Sequence, residues 1–385
     1  MISRKIAVVT GSRAEYGVLQ PVLSRIRAEP RLRLQLIVTG AHLNPAFGKT
    51  VREIERDGCP IAARLPLHVG KGKATNVASE MIRALSSLTR AYAKLKPDLV
   101  LLLGDRYEML CAATAALPFR IPIAHIHGGE STEGSWDDSV RHALTKMSHL
   151  HFPAQPVYAR RIRQMGENPA RIFCYGSPVV DRIRSLPVMS RSELADFLGI
   201  RLEKPIGVVT FHPETLKADY GLGDLEAVLS VLGARRGTWI FTYANADTGG
   251  LEINRRIERF VRGYTRGQAR VFANLGQPRY FSLLRCADVM IGNSSSGILD
   301  APYFGLPVVN IGGRQGGRFR LGLTIDVPVA EPKAIEAALR RALSMRRRLP
   351  RELSKNGISP SRNIVNVLKT TALDSNLLQK KFFDL

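Results

Sequence analysis

A chain of 385 residues, 45% of them hydrophobic, is long enough for two or three globular domains, which excludes a small disulfide-stapled module and a disordered tail. Its 56 lysines and arginines against 33 acidic residues leave a net charge of +23. Such a charge attracts nucleic acid, anionic membranes and phosphorylated substrates alike, so it does not indicate which of them is the partner. No CxxC pair occurs, so we expect buried free thiols in a reducing compartment at Cys59, Cys111, Cys174 and Cys286.

The first half of the chain alternates short β-branched runs with longer amphipathic stretches, which is typical of βαβ units around a parallel sheet. We predict strands at residues 5–11, 33–40, 97–105, 122–128, 149–154 and 171–176. We predict helices at about 15–28, 75–95, 106–117, 138–147 and 156–165. These elements make a doubly wound, Rossmann-like domain over residues 1–190.

The second half repeats the pattern. We predict strands at 205–213, 238–245, 269–274, 288–293, 307–312 and 323–328, and helices at about 223–234, 251–262, 296–304 and 331–344. These elements make a second Rossmann-like domain over 191–360, and residues 361–385 form a helical segment expected to pack back on the protein. The predicted fold class is α/β, with two doubly wound domains and a cleft between them.

The chain has no predicted membrane anchor. No run approaches the roughly 18 to 20 apolar residues that cross a bilayer, and Ile6–Val9 is too short for a signal-peptide core. We therefore predict a soluble, cytoplasmic protein. The basic run Arg346–Arg348 is interpreted as a solvated helix end, and without a recognised nucleic-acid-binding motif we expect no nucleic-acid partner.

Two glycine-bearing loops follow predicted strands and open predicted helices. TGSRAEYG carries Arg13 and suits a phosphate cradle, although an ordinary strand-to-helix turn explains it too. GNSSSG places Ser294–Ser296 at a helix start, where the hydroxyls either bind an anion or cap the helix, and Arg314 follows. Together the loops suggest a diphosphate held between the two domains.

Acidic residues follow two neighbouring strands of the first domain. Asp105 ends an apolar strand, where a carboxylate must be exposed or paired, and Arg106 is a possible partner. Glu130, Asp137 and Asp138 follow the neighbouring strand. Because nearby carboxylates push their pKa values apart, the sequence predicts general acid/base chemistry at this edge of the sheet.

Histidines lie close to these carboxylates. His125 and His127 have strand spacing, and His149 with His151 repeats it, which raises the alternative of a metal site. The two pairs lie on different predicted strands with no cysteine near, so we predict no bound metal. His212, in FHPET, is interpreted as a ligand contact, the alternative being a turn residue before Pro213.

Several motifs together resemble those of a known family. In order they are TGSRAEYG, TGAHL, GDRYEML, IPIAHIHGGESTEGSWDDSVRHALTKMSHLHF, FHPET and GNSSSGILDAPYFGLPVVNIGGRQGGR. Over residues 5–345 the chain resembles the UDP-N-acetylglucosamine 2-epimerases, most closely the hydrolysing branch of sialic-acid-type (nonulosonate) biosynthesis. That family is similar in fold to glycosyltransferases of the B type.

The resemblance implies roles for particular residues. Substrate would be bound by Arg13, His42, Arg106, His212, Ser294, Ser295, Ser296, Asp300 and Arg314. The acid/base set would be Asp105, Glu130, Asp137 and His127. His127 stands where some relatives have a catalytic glutamate, so the acid/base is either His127 or Glu130. Gly17 replaces a common serine, and Asp300 replaces a longer ribose-binding glutamate.

The implied reaction eliminates UDP across C1 and C2 of the sugar and then adds water to the glycal, releasing a free 2-epimer of the ManNAc type from a UDP-GlcNAc-type substrate. It requires no cofactor, and relatives suggest a homodimer or homotetramer. Alternatives are a non-hydrolysing epimerase, an epimerase of UDP- or GDP-diacetylbacillosamine, a glycosyltransferase of the same fold and, from charge alone, a nucleic-acid-binding protein.

Overall fold

The computed structural model describes residues 3–45, 48–67, 74–133, 136–245, 247–349 and 358–384. The chain divides into two compact units. The first consists of Met1–Glu130, Asp137–Arg184 and Gly357–Leu385, and the second of Ser131–Trp136 and Ser185–Asn356.

Each unit is built on a parallel sheet of six strands. The strands are β1 (Arg4–Thr10), β2 (Leu32–Thr39), β3 (Ile61–Leu65), β4 (Leu99–Leu103), β5 (Ile123–Ile126), β6 (Leu150–Phe152), β7 (Ile206–Thr210), β8 (Thr238–Thr242), β9 (Gln268–Phe272), β10 (Val289–Gly292), β11 (Val308–Ile311) and β12 (Thr324–Val327). Val, Ile and Leu are the most frequent residues of these strands because helices cover both faces of each sheet.

Helices connect the strands. They are α1 (Arg13–Ala28), α2 (Val51–Arg56), α3 (Ala74–Leu95), α4 (Tyr107–Ala116), α5 (Asp137–Met147), α6 (Pro156–Gln164), α7 (Val179–Ser185), α8 (Arg191–Leu198), α9 (Leu222–Ala234), α10 (Gly250–Gly263), α11 (Gln277–Cys286), α12 (Ser295–Leu299), α13 (Pro332–Ser344), α14 (Pro360–Thr370) and α15 (Ser375–Leu378). None of the helices in the described ranges has the length and apolar character needed to cross a bilayer.

The strand orders fix where ligands can bind. The first sheet runs β3-β2-β1-β4-β5-β6 and the second β12-β11-β10-β7-β8-β9, which is the same order read from opposite ends. In this doubly wound topology the order reverses between β1 and β4, and between β7 and β10. Ligands bind at such switch points, outside the carboxyl ends of the strands.

The core of the first unit lies on both faces of its sheet. On β1, Ile6 and Val8 pack with α1 and α14, whereas Ala7 and Val9 pack with α3 and α4. This alternation is the two-residue period of a strand buried on both sides.

The end of the chain belongs to the first unit. Helix α14 buries Ile364, Val365 and Leu368 in the same cluster as apolar residues of α1. Beyond it, the Lys380 ammonium donates to the carbonyl of Ser148 at 2.6 Å and pairs with Glu167 at 2.8 Å. The C-terminal segment is therefore an integral part of this unit.

Several sequence predictions about local structure are wrong. Residues 171–176 form no strand, since only Ile172 bridges to His151. Edge strand β3 and helix α11 were not predicted, and the helix predicted over 296–304 is broken into α12 and a 3-10 turn at Ala301–Phe304, where Pro302 stands in its first turn. Cys174 is exposed and Cys286 half-buried, whereas Cys59 and Cys111 are buried.

Candidate active site

A buried arginine organises the acidic residues of the first unit. Arg141, on α5, is 1% exposed and forms ion pairs with Asp105, which follows β4, and with Asp138 at 3.1 Å. The two carboxylates are 22% and 29% exposed, so they remain accessible to solvent. One buried guanidinium thus holds two accessible carboxylates at the carboxyl edge of the sheet, and Asp137 begins the same helix.

Asp105 does not pair with Arg106 as the sequence suggested. The Arg106 guanidinium instead contacts both oxygens of the buried Glu108, the shortest distance being 3.1 Å from Nε to Oε2. It also lies 3.9 Å from Glu15, whose pKa is raised to about 7 because burial and the neighbouring Glu108 outweigh Arg106 and two backbone donors. Arg106 therefore neutralises buried carboxylates below the first loop.

The first loop uses its own amides internally. Ser12 caps α1, and Glu15 completes a capping box by accepting the amides of Gly11 at 2.7 Å and Ser12 at 3.0 Å. Glu15 thus occupies the amides of Gly11 and Ser12, and the phosphate-cradle interpretation of the loop stays a prediction. Arg13, half-buried in the first turn of α1, remains the loop's cationic side chain.

His42 lies beneath this loop and is fully buried. Its ring nitrogens bond Thr10 Oγ1 at 3.1 Å and Thr50 Oγ1 at 2.8 Å. Burial lowers its pKa to about 4, so the ring is neutral at pH 7. Because both nitrogens are used by threonines, His42 supports the loop that follows β1.

His127 and Glu130 lie together after β5. His127 Nδ1 is 3.3 Å from Glu130 Oε1, and its Nε2 is 3.0 Å from the hydroxyl of Ser177. All three side chains are buried. The two residues between which the sequence left the acid/base role open are therefore in contact with each other.

The remaining histidines of this sheet have structural partners. His125 is fully buried, its Nε2 lies 2.7 Å from the carbonyl of Gly104, and burial lowers its pKa to about 3. His149 accepts the amide of Ile123 at 3.1 Å, and His151 bonds Glu167 at 3.0 Å. In the described part of the chain no three His, Cys, Asp or Glu side chains are grouped to hold a metal ion.

In the second unit, His212 follows β7 at the switch point. Its backbone amide donates to Asn293 Oδ1 at 2.7 Å, and Asn293, which follows β10, donates back to the His212 carbonyl at 2.8 Å. His212 Nδ1 accepts the Asn245 amide at 3.0 Å. Burial and Arg314 lower its pKa to about 3, so the neutral ring must carry its proton on Nε2, as a fixed donor.

The three serines after β10 have different roles. Ser294 caps α12 by accepting the amide of Ser296 at 3.3 Å, and the Ser296 hydroxyl bonds Tyr280 at 2.6 Å. Ser295 is half-buried in the first turn. The capping interpretation thus holds for Ser294 and leaves anion binding open for its neighbours. Burial raises the pKa of Asp300 to about 6, against the hydrogen bond from Ser296.

Arg314 is anchored beside these residues. It is buried and donates to the carbonyl of Asn293 at 3.2 Å, which also accepts from Gln315 at 2.8 Å. The same asparagine therefore fixes His212 and Arg314 through backbone and side-chain bonds. This arrangement gathers one cation and one neutral donor at the carboxyl edge of the second sheet.

Sequence reasoning missed several of these residues. Arg141 stands three residues after Asp138, a helical spacing that could have identified it. Glu15 stands three residues after Ser12, the recognisable spacing of a capping box. Ser177 and Asn293 gave no comparable signal, because their contacts join distant parts of the chain.

Two successive doubly wound domains of one strand order define a protein of the glycosyltransferase-B-like fold class. Known proteins share this architecture. A crystal structure of UDP-GlcNAc 2-epimerase from Neisseria meningitidis bound to UDP-GlcNAc superimposes with a TM-score of 0.80 at 15% identity, covering 95% of this chain and 100% of that one.

Sequence comparison narrows the class to a family. Residues 24–368 match the profile described as UDP-N-acetylglucosamine 2-epimerase. The chain is 38% identical to GDP/UDP-N,N'-diacetylbacillosamine 2-epimerase (hydrolyzing) of Campylobacter jejuni over 100% of both chains. It is 36% identical to UDP-N,N'-diacetylbacillosamine 2-epimerase (hydrolyzing) of Legionella pneumophila over 98% of both. The chain belongs to the UDP-N-acetylglucosamine 2-epimerase family of enzymes, which confirms the resemblance of its motifs.

Proposed function

We propose that this protein is a hydrolysing 2-epimerase of a UDP-activated 2-acetamido sugar, and that its substrate is UDP-N,N'-diacetylbacillosamine. The products are UDP and the free 2-epimer. Support for the substrate comes from two relatives that match over nearly their whole length and carry that name. UDP-N-acetylglucosamine, which lacks the second acetamido group, is the competing substrate.

The second unit is proposed to bind UDP. The Nε2 proton of His212 can donate to a phosphate oxygen, and the buried cation of Arg314 beside it favours a dianionic ligand. Ser295 and Ser296 would add hydroxyl donors, and Asp300 would accept from the ribose. Arg13 is proposed to supply a further positive charge where negative charge develops on the departing UDP.

The first unit is proposed to act on the sugar. A carboxylate removes the proton from C2 while the C1–O bond breaks and its electron pair leaves with UDP, which forms a C1=C2 double bond. A C2 proton is weakly acidic, so its removal must be coupled to departure of UDP, and a positioned base contributes roughly 10²- to 10⁴-fold. Asp105 and Asp137 are the proposed partners of Glu130 in this step.

Hydration completes the proposed reaction. Water supplies the oxygen at C1, and a carboxylic acid returns a proton to the opposite face of C2, so atoms balance as UDP-sugar plus water giving UDP plus the free epimer. One carboxylate must therefore be a base and another an acid. The observation that supports this proposal is the Asp105–Arg141–Asp138 cluster, which holds accessible carboxylates at the sheet edge.

That cluster also distinguishes the proposed epimerase from a glycosyltransferase of the same fold. A glycosyltransferase of this fold needs the nucleotide contacts of the second unit but no proton chemistry at C2. The accessible carboxylates on Arg141 favour the epimerase. A non-hydrolysing epimerase would use the same groups and differs only in returning UDP to the sugar.

Proton NMR of reactions in deuterated water tests this function. UDP-N,N'-diacetylbacillosamine, UDP-N-acetylglucosamine and the GDP form of the first sugar are each incubated with the enzyme and no acceptor. We expect free UDP and a free sugar deuterated at C2, formed fastest from the first substrate. Epimer still bound to UDP would indicate the non-hydrolysing reaction, and retention of the C2 proton in every sample would refute epimerisation.

Assembly and location stay predictions. The homodimeric or homotetrameric state predicted from the resemblance is measured by light scattering coupled to size-exclusion chromatography. The cytoplasmic location is measured by fractionating cells that express the full chain.

A further inference from the structure

Helices α9 and α10 of the second unit border a groove that has no part in the proposed reaction. Its volume is about 430 Å³, and small-molecule sites measure roughly 300–1,000 Å³. The lining residues come from α9, from α10 and from the segment that follows α10. None of the described residues that line it belongs to the candidate active site. We propose that this groove, named the α9–α10 groove, is a second binding site and that its ligand is a nucleoside diphosphate.

The arginines of the groove differ in how their charge is balanced. Arg256 lies 2.5 Å from Glu226 and 2.9 Å from Glu252, so two glutamates neutralise it and we assign it no ligand. Arg259 and Arg266 also line the groove, and within the described ranges neither forms an ion pair with an acidic side chain. A bound anion would supply the counter-charge that these two guanidiniums lack. A diphosphate suits them, because guanidinium binds phosphate oxygens through two parallel hydrogen bonds.

The groove also has an aromatic part. Phe260 and Tyr264 line it, with ring centroids 5.5 Å apart and ring planes 27° apart. The Tyr264 hydroxyl donates to the Arg235 carbonyl at 2.7 Å and accepts from Trp239 Nε1 at 3.0 Å, which fixes the ring. Burial raises the pKa of Tyr264, and the nearby Arg266 guanidinium opposes that rise. Cation and aromatic surface therefore lie close together.

This combination selects among phosphate-bearing ligands. A rigid aromatic surface stacks on a nucleobase, whereas a sugar phosphate or an inorganic anion offers no planar ring to it. Hydroxyl groups of Ser230 and Thr265, which also line the groove, are of the kind that hydrogen-bonds ribose or phosphate oxygens. The groove thus presents the groups that recognise the phosphates, the sugar and the base of a nucleotide.

Small residues leave room for a ligand. Gly233 of α9 and Gly263 at the end of α10 line the groove. A Cβ at Gly233 would lie 3.5 Å from the Phe260 ring, an ordinary contact. A Cβ at Gly263 would meet no described atom within 4 Å beyond its chain neighbours and its own helix backbone. A larger side chain at position 263 can therefore enter the groove without displacing the fold, which provides a blocking variant.

Binding of ADP to the full chain tests the proposal. ADP carries a diphosphate and a base, and its base differs from that of the UDP proposed for the candidate active site. Equilibrium dialysis with labelled ADP measures Kd, and inorganic pyrophosphate and adenosine are the comparison ligands. We expect saturable binding of one ADP per chain, at least about tenfold tighter than either comparison ligand. Because guanidinium groups contribute, Kd should rise as salt is added.

Variants locate the bound ADP. Replacing both Arg259 and Arg266 by Met should raise the Kd for ADP at least about 10-fold, through loss of charge-assisted hydrogen bonds. Gly263→Leu should raise it at least as much by filling the groove. The matched control replaces Arg340 and Arg346 by Met, which removes the same charge from exposed positions of the second unit outside the groove. Its Kd should stay within about twofold of the parent value.

A further variant separates the groove from the candidate active site. His212→Leu should leave the Kd for ADP within about twofold, whereas a rise of about 10-fold or more would place ADP at His212 and overturn the proposal. Absence of saturable ADP binding, or a Kd that Gly263→Leu leaves unchanged, would also overturn it. Circular dichroism checks that each variant is folded. These measurements need no turnover, so their outcome does not depend on the proposed epimerase activity.

Discussion

Removing the Arg141 guanidinium should disable the proposed carboxylate site. Arg141→Met keeps an unbranched apolar stem and leaves Asp105 and Asp138 without their shared cation. Breaking a buried ion pair by deleting one partner destabilises by about 3–5 kcal/mol. Because the two carboxylates are 22% and 29% exposed, water screens part of this, and we expect about 2 kcal/mol.

The effect on turnover should exceed the effect on stability. Without Arg141, the two carboxylates repel each other and Asp105 loses its fixed orientation, so we expect kcat to fall by at least about 10²-fold. Arg141→Lys keeps the charge but not the planar guanidinium that reaches both partners, so its kcat should lie between those of the parent enzyme and Arg141→Met. UDP binding, proposed for the second unit, should change less than about threefold.

Hydrogen exchange of first-unit peptides measures the stability change, and UDP release measures turnover. Arg256→Met is the matched control, because Arg256 also binds two carboxylates, Glu226 and Glu252, but on the surface of the second unit. It should destabilise the protein much less than Arg141→Met and leave turnover unchanged. Turnover of Arg141→Met within about threefold of the parent enzyme would refute the role given to the cluster.

Three further outcomes are expected. Asp105→Asn should lower turnover by at least about 10²-fold with UDP affinity unchanged, and normal turnover would remove Asp105 from catalysis. His212→Leu should weaken UDP binding about 10-fold by calorimetry, through loss of the Nε2 donor, and an unchanged Kd would contradict its placement. Because burial lowers the pKa of His125 to about 3 and of His42 to about 4, the unfolded chain binds protons first. Acidification from about pH 6.5 to 4 should therefore destabilise the first unit, by up to about 1.4 kcal/mol per pH unit for each histidine. Glu15 partly offsets this loss, because its raised pKa of about 7 makes the folded state bind a proton more tightly and so adds stability below that pH. Urea midpoints that do not fall would contradict this.

The parallel sheets were predictable because most of their strands are buried on both faces. Leu99–Leu103 is apolar throughout, and a run of that kind between amphipathic stretches has few other interpretations. Edge strand Ile61–Leu65 escaped prediction because it alternates half-buried and exposed residues and contains Arg64. Residues 171–176 were wrongly predicted to form a strand because β-branched and aromatic residues favour strands. Only Ile172 forms a β-bridge, with His151.

Residues of the candidate site were predictable only where a polar residue comes directly after a strand. Asp105 and His212 could be identified because they come after buried strands, at the edge where ligands bind in this topology. Their partners could not, since Arg141 reaches Asp105 from helix α5, 36 residues away in sequence. The phosphate interpretation of TGSRAEYG did not anticipate Glu15, whose carboxyl group accepts the amides of Gly11 and Ser12.

The place of α14 has a consequence for how the protein is made. Leu19 and Leu23 of α1 share a buried cluster with Ile364 and Leu368, which follow the whole second unit in sequence. During synthesis that apolar face of α1 stays exposed to solvent until the second unit and then α14 have been translated. Deletion of α14 should therefore destabilise the half of the molecule that is translated first.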